Sequence, residues 1–406
     1  MSKEFDVIVF GATSFVGQIV CEYMHSQYAG HEVKWAMAAR SQHKLDSVKH
    51  ELGIEDVPTL IADASDQESI DALSAQTKVI ISTVGPYDLY GEPMVKACVK
   101  HGTDYVDLTG EPQWIRKMID RYEADAKTSG ARIVHCCGFD SIPSDLGVFF
   151  LQQQAKQRFG KPCDQVKTRV KAMKGGASGG TVASLVNVVK QASKDAKLRK
   201  LLANPYALCP EGHRFNAHQN NVNHAKYEEE TGSWVAPFIM ASINTRVVHR
   251  SNALLGNEYG ERFLYDEAMM TGKNAKGGLM GWAVTATLSG LMVGAALPPT
   301  RWLLENTVLP KPGEGPSKEE QRNGFFDFRL FGSTPQKQHI VVKVTGDRDP
   351  GYGSTAKMLS EAAVCLAHDT EMNDVEGGFL TPASAFGETL IKRLEQNAGL
   401  TFSVLA

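Results

Sequence analysis

The sequence predicts an α/β protein, with an N-terminal parallel sheet followed by a second α+β domain containing a mainly antiparallel sheet. Three observations predict it. The chain has 406 residues, 42% apolar and 22% charged, enough apolar material for two or three domains. Between residues 5 and 150, short β-branched runs alternate with amphipathic stretches, and the runs stay apolar throughout, as strands covered on both faces must. Beyond about Gly160 the strands change to strict apolar–polar alternation, which fits a sheet with one wet face.

In chain order, the first-domain strands are DVIVF, VKWAMAAR, VPTLIAD, KVIISTV, DYVDLTG and ARIVHCC, with helices between them. Residues 165–173, 325–331 and 339–345 read as half-buried strands, and 183–202 and 237–255 as helices. The second of these helices places Phe238, Ala241, Val248 and Leu255 near one face. Residues 309–323 collect proline, glycine and charge without periodicity and read as an exposed loop. The expected division is a dinucleotide-binding domain at 1–150, a substrate domain at 151–346, and C-terminal helices at 347–406 returning to the first domain. Residues 277–297 carry no charge. Three readings stand open for them: a buried hairpin or loop, a lipid-contacting surface element, and a membrane span.

A net charge of -3 lacks the basic excess that nucleic acid would select, so no nucleic-acid partner is expected. Seven cysteines, an odd number with no C-x-x-C pair, predict reduced thiols in a cytoplasmic protein. Asp6 and the following glycine turn interrupt the N-terminal apolar run, so Met1 is read as the start of the mature chain.

The first strand runs into Gly11-Ala-Thr13-Ser14-Phe15-Val16-Gly17 and then directly into a helix. In that position Gly11 makes the tight turn, Gly17 lets the helix approach the strand, and the free N–H groups at the helix start hold a pyrophosphate. This predicts a Rossmann-type domain. The second strand ends in Arg40-Ser41, with Lys44 one turn on, where an NAD enzyme would carry an acidic residue. A guanidinium there pairs with a 2′-phosphate, so NADPH is the expected cofactor. Asp63 is placed either beside the adenine or as the cap of the next helix.

Gly85 and Pro86 follow the fourth strand, where backbone approaches the cofactor, and Tyr87 is read as reaching the nicotinamide or substrate, or else as a packing residue. After the sixth strand, Asp140 is placed to orient the carboxamide or substrate, with Ser141 beside it and Asp145 as a helix cap, a purely structural role standing as the alternative for either aspartate. Cys137 reads as a packing residue. The glycine-rich turn 174–181 and the turn 346–353, with Arg348 and Tyr352, are further site material. Cys209, His213, His218 and His224 match no zinc spacing, and no metal is expected.

Taken together, GATSFVGQ, AARS, STVGPY, YVDLTGE, CGFDSIPSDLG, SGGT, SWVAPFIMASINTRVVHRSNAL and GDRDPGYGSTAKMLSEAA resemble the saccharopine dehydrogenase-like oxidoreductases, and within them the trans-acting enoyl reductases. Ser14 stands where that family's turn commonly has glycine. The resemblance implies an NADPH hydride donor and reduction of an enoyl double bond in a lipid or polyketide intermediate, with Tyr87, Ser141 and the glycine turn at 175–180 as candidate hydrogen-bond donors. The rivals are an imine or carbonyl reductase and a non-catalytic NADPH-binding protein at a lipid or membrane surface. A homodimer and peripheral contact with the inner face of the plasma membrane complete the expectations.

Overall fold

The computed structural model describes residues 3–30, 33–175, 179–303, 315–370 and 375–405. The chain divides into two compact units: Met1–Ile142, Pro312–Gly315 and Gly351–Gly399 form the first, and Pro143–Lys311, Pro316–Pro350 and Leu400–Ala406 the second.

The first unit begins with β1 (Phe5–Phe10), α1 (Phe15–Tyr28), β2 (Trp35–Ala39), α2 (Gln42–Leu52), β3 (Thr59–Ile61), α3 (Gln67–Ala75) and β4 (Thr77–Ser82). It continues through α4 (Tyr87–Tyr90), α5 (Glu92–His101), β5 (Asp104–Asp107), α6 (Pro112–Ser129) and β6 (Arg132–Val134). In the second unit come α7 (Ile142–Phe159, entered at the unit boundary), β7 (Gln165–Lys174), α8 (Gly179–Lys194), α9 (Ala196–Ala203), β8 (Lys226–Glu228), β9 (Ser233–Pro237), α10 (Ala241–Leu254) and β10 (Leu264–Gly272). They are followed by α11 (Ala275–Ala296), α12 (Pro298–Leu303), α13 (Lys318–Arg322), β11 (Phe325–Ser333) and β12 (His339–Gly346). The chain then returns to the first unit with α14 (Thr355–Val364), β13 (Gly378–Leu380) and α15 (Pro382–Asn397), and ends in the second with β14 (Thr401–Val404).

The first sheet is parallel, in the order β13-β6-β5-β4-β1-β2-β3. Every residue of β1, β2, β5 and β6 is buried, which is why these segments carry no alternation. The order reverses between β1 and β4, and a crevice at such a reversal is where doubly wound sheets take ligands. The seventh strand comes from the far end of the chain. Arg132 locks that return: its Nε donates to Asp104 Oδ2 at 3.0 Å, while its guanidinium also donates to the Leu366 carbonyl at 2.9 Å and the Thr370 carbonyl at 2.8 Å.

The second sheet runs β14-β12-β11-β7-β10-β9-β8. All pairs are antiparallel except β7 with β10. Burial alternates residue by residue along β11 and β12, as their sequence period requires.

Several expectations are corrected here. The predicted helix at 183–202 is broken at Asp195, whose carboxylate accepts from Lys197 N at 2.7 Å and Leu198 N at 3.2 Å to start α9. Pro237 closes β9 instead of opening a helix. Within the predicted loop at 309–323, a Ser317–Glu320 capping box starts α13, while 309–314 lie outside the described residues. The apolar segment is one continuous helix, α11, rather than a buried hairpin or loop. Leu279 is 75% exposed and Trp282 53%.

Candidate active site

Gly11 has φ +91°, and a Cβ there would lie 2.6 Å from Thr83 Oγ1. A Cβ on Gly17 would lie 2.1 Å from the Gly11 carbonyl oxygen. Both glycines are therefore demanded by the turn itself. Ser14 is the helix cap: its Oγ accepts from Gly17 N at 2.9 Å and hydrogen-bonds Thr83 Oγ1 at 3.0 Å. The serine at the middle position thus ties the turn to the end of β4 through Thr83, a partner the sequence reading missed. Among the described residues, the N–H groups of Thr13, Phe15 and Val16 have no hydrogen-bond partner. They form a cradle of backbone donors at a helix N-terminus, which fits a pyrophosphate.

Arg40 stands exposed after β2 and forms no ion pair among the described residues. Ser41 caps α2, accepting from Lys44 N at 3.4 Å, and Lys44 is exposed. Asp63 does not cap α3; Asp66 does, accepting from Glu68 N at 3.1 Å. Asp63 instead accepts from Ser65 N at 2.9 Å and Ser65 Oγ at 2.8 Å, and these bonds, with a lesser contribution from the Arg40 charge, hold its carboxyl below the usual range. An exposed cationic group with no ion pair among the described residues at this strand end fits a 2′-phosphate.

The other half of the edge is organised by two carboxylates that sequence reading did not single out. Asp107 accepts from His135 Nδ1 at 2.7 Å, Cys136 N at 3.0 Å and Thr109 N at 3.1 Å, pinning the ends of β5 and β6 together. Glu111 accepts from Tyr87 N at 3.0 Å and Asp88 N at 3.1 Å, supplying the cap that Pro86 cannot provide for α4. Tyr87 is turned inward, correcting its expected reach to the ligand. Its hydroxyl donates to the Ser82 carbonyl at 2.9 Å, its ring packs on Trp114, and burial raises its pKa well above the ordinary value.

Gly85 and Pro86, joined by a cis peptide, precede α4. Ser141 is fully buried at the start of α7. Asp140 is only half-buried, and its carboxyl has no hydrogen-bond partner among the described residues. Burial and, second, the Asp107 charge push that carboxyl up to about 7. Asp140 follows β6 and Arg40 follows β2, on opposite sides of the strand-order reversal.

Other candidates are structural. Cys137 is buried, with Sγ 3.4 Å from the Val134 carbonyl. Asp145 does not cap α7; it is buried within the helix and accepts from Ser251 Oγ at 2.5 Å. Tyr352 packs edge-on against Phe15, the ring centroids 4.9 Å apart, and Arg348 pairs with Asp347. Of the glycine turn at 174–181, residues 176–178 lie outside the described residues. Cys209 packs with Tyr206 and Phe215, whereas His224 stacks on Trp282, so the sulfur and that imidazole serve separate packing contacts.

The fold and cradle define a dinucleotide-binding oxidoreductase. Residues 7–134 match the family profile described as the saccharopine dehydrogenase NADP-binding domain. A Mycobacterium tuberculosis protein that bears the name trans-acting enoyl reductase provisionally is 39% identical over 404 residues, covering 97% of this chain and 96% of that protein. A trans-acting enoyl reductase of the same organism is 38% identical over 407 residues with the same coverage. The solved saccharopine dehydrogenase (L-Glu forming) of Saccharomyces cerevisiae aligns over 99% of this chain and all of that one, with a TM-score of 0.54 at 11% identity, a likeness of fold alone. The chain belongs to the saccharopine dehydrogenase-like oxidoreductases, among relatives that carry the enoyl reductase name. It is an NADP-dependent oxidoreductase.

Proposed function

We propose that this enzyme reduces the carbon–carbon double bond of an enoyl group in a lipid or polyketide intermediate. The end-to-end similarity to the named enoyl reductases carries the reading. When bound, NADPH supplies a hydride. The backbone donors of Thr13, Phe15 and Val16 hold its pyrophosphate, and Arg40 its 2′-phosphate. A dinucleotide laid across the strand reversal with that phosphate at Arg40 extends its other end toward β4, β5 and β6, where Asp140 stands.

Enoyl reduction adds hydride at the β-carbon and moves the double-bond electrons toward the α-carbon and carbonyl oxygen, after which the α-carbon takes a proton. Asp140 supplies that proton, leaving as carboxylate and regaining a proton from solvent. A carboxyl that keeps its proton to about pH 7 and spends it on no neighbour suits this step. A dicarboxylate amino-acid substrate finds less support. In the polar cleft of the second unit, Lys167 is already paired with Glu230 and Glu228, and Lys226 alone among its described cations lacks an ion pair.

The deciding experiment follows NADPH oxidation against enoyl thioesters, ketones and imines; turnover of ketones or imines alone would overturn the reading. At saturating enoyl substrate, kcat falls as pH rises through about 7, and Asp140→Asn loses that limb along with most of its rate. NADPH binds at least about tenfold more tightly than NADH, equivalent to about 1.4 kcal/mol, and Arg40→Ala removes the difference in a paired titration.

A further inference from the structure

Helix α11 is uncharged from Gly277 to its end and is long and apolar enough, by length and composition, to cross a membrane. Leu279, Met280, Trp282, Met292 and Val293 are exposed along it, and Leu297 and Trp302 continue that exposure beyond it. Contiguous apolar surface of this extent is covered in a working protein. Its inward face is made of small residues that let the first half of the helix press on the sheet. A Cβ on Gly278 would sit 3.0 Å from the Trp234 ring, and one on Gly281 would sit 3.1 Å from both Ala225 and Thr271. Thr271 Oγ1 also donates to the Gly277 carbonyl at 2.9 Å. These contacts tie the first half of the helix to the sheet of the second unit.

Along the sequence the charges that flank it share one sign, while exposed Glu229 and Glu230 lie in the turn of the β8–β9 hairpin beneath it. Lys273 and Lys276 precede the exposed face, Arg301 follows it, and no acidic residue occurs between positions 268 and 304. At its C-terminal end, Ala295 packs on Val186 and Val189 of α8. From there into α9 the chain carries exposed Lys190, Lys194, Lys197, Arg199 and Lys200 against the single acid Asp195. A symmetric pairing of two copies through α11 would bring these cations together, where they outnumber the neighbouring acids. An anionic lipid surface neutralises them while taking up the apolar face, and Trp282 and Trp302 suit the headgroup level.

We propose that α11 is a membrane-surface element, lying in the plane of an anionic lipid interface with its exposed face at the acyl boundary. This assignment stands whatever bond the enzyme reduces. The full chain is sedimented with vesicles of phosphatidylcholine alone and of equimolar phosphatidylcholine and phosphatidylglycerol. Wild type binds the anionic vesicles and is released by alkaline carbonate. A Leu279→Glu, Trp282→Glu double variant binds at least about tenfold more weakly, as does Lys194→Glu, Lys197→Glu, which alters no apolar residue. Absence of vesicle binding, or unchanged binding in both variants, would overturn the proposal. So would resistance to carbonate, which marks a span, or a dimer that the first variant dissolves, which marks a second copy as the true cover.

Discussion

Helix α10 carries Asn244, Arg246, His249, Arg250, Ser251 and Asn252 into the interior of the second unit, while its neighbour in sequence, α11, turns leucine, methionine and tryptophan outward. The difference lies in partners. Most of the polar groups that α10 buries meet a complement: Arg250 donates to the Leu208 carbonyl at 2.5 Å, Ser251 to Asp145, and Asn244 to Ser144 Oγ at 3.1 Å and Glu267 Oε2 at 2.9 Å, while among the described residues Arg246 Nε and His249 Nε2 have no partner. His249, packed edge-on to Tyr206, is pushed down to about 3 by burial and, second, by Arg246, so it enters the core neutral. Satisfied polarity can be buried, whereas an apolar face without a neighbour remains outside until something covers it.

The largest effect that sharpens this contrast belongs to Asn252. Its amide donates to the Gly260 carbonyl and its carbonyl accepts from Tyr259 N, both at 2.8 Å. Asn252→Ala leaves one buried and one part-buried backbone group unpaired and lowers stability by about 2–4 kcal/mol in urea unfolding. A loss below about 0.5 kcal/mol would show that α10 does not depend on its polar partners. Next comes a pH effect. Burial raises the Glu267 pKa above its model-compound value of 4.5, against hydrogen bonds from Ser144, Tyr265 and Asn244 that lower it. The folded state therefore binds this proton more tightly than the unfolded chain, and stability declines as pH rises from about 4.5 through the raised pKa. Glu267→Gln flattens that slope in thermal melts from pH 4.5 to 8. The smallest effect falls on α11, where Leu279→Ser and Met292→Ser each change stability by less than about 0.5 kcal/mol. A loss of about 2 kcal/mol at either would break the comparison by placing that face against protein.

The same physics decides what could be read from the sequence. The parallel strands and the glycine turn were legible because buried strands must be apolar throughout and because no other residue fits Gly11 at φ +91°. The exposed place of Arg40 at the end of the second strand was legible too, since an arginine rarely closes a buried run by entering the core. Strands β8, β13 and β14, of three or four residues each, are too short to show a period, and β13 pairs with β6 from about 245 positions away. Tyr87 misled because its position at a strand end says nothing about rotamer, and the Ser82 carbonyl that takes its hydroxyl lies five residues back. Asp107 and Glu111 escaped notice because their partners are backbone N–H groups, which every residue but proline carries.

The return of the chain after Gly351 also bears on how the protein is made. The segment running to Gly399 supplies α14, every residue of which but Lys357 is buried, along with the edge strand β13. A ribosome releases residues 1–142 long before that segment exists, so the cofactor-binding sheet waits with an uncovered face and an unpaired edge at β6 while some two hundred intervening residues are synthesised. Such an interval is an opportunity for misassembly, and it lengthens with every residue inserted into the second unit. A fragment cut after the first 150 residues inherits the same exposure permanently, which makes it a poor vehicle for studying nucleotide binding in isolation.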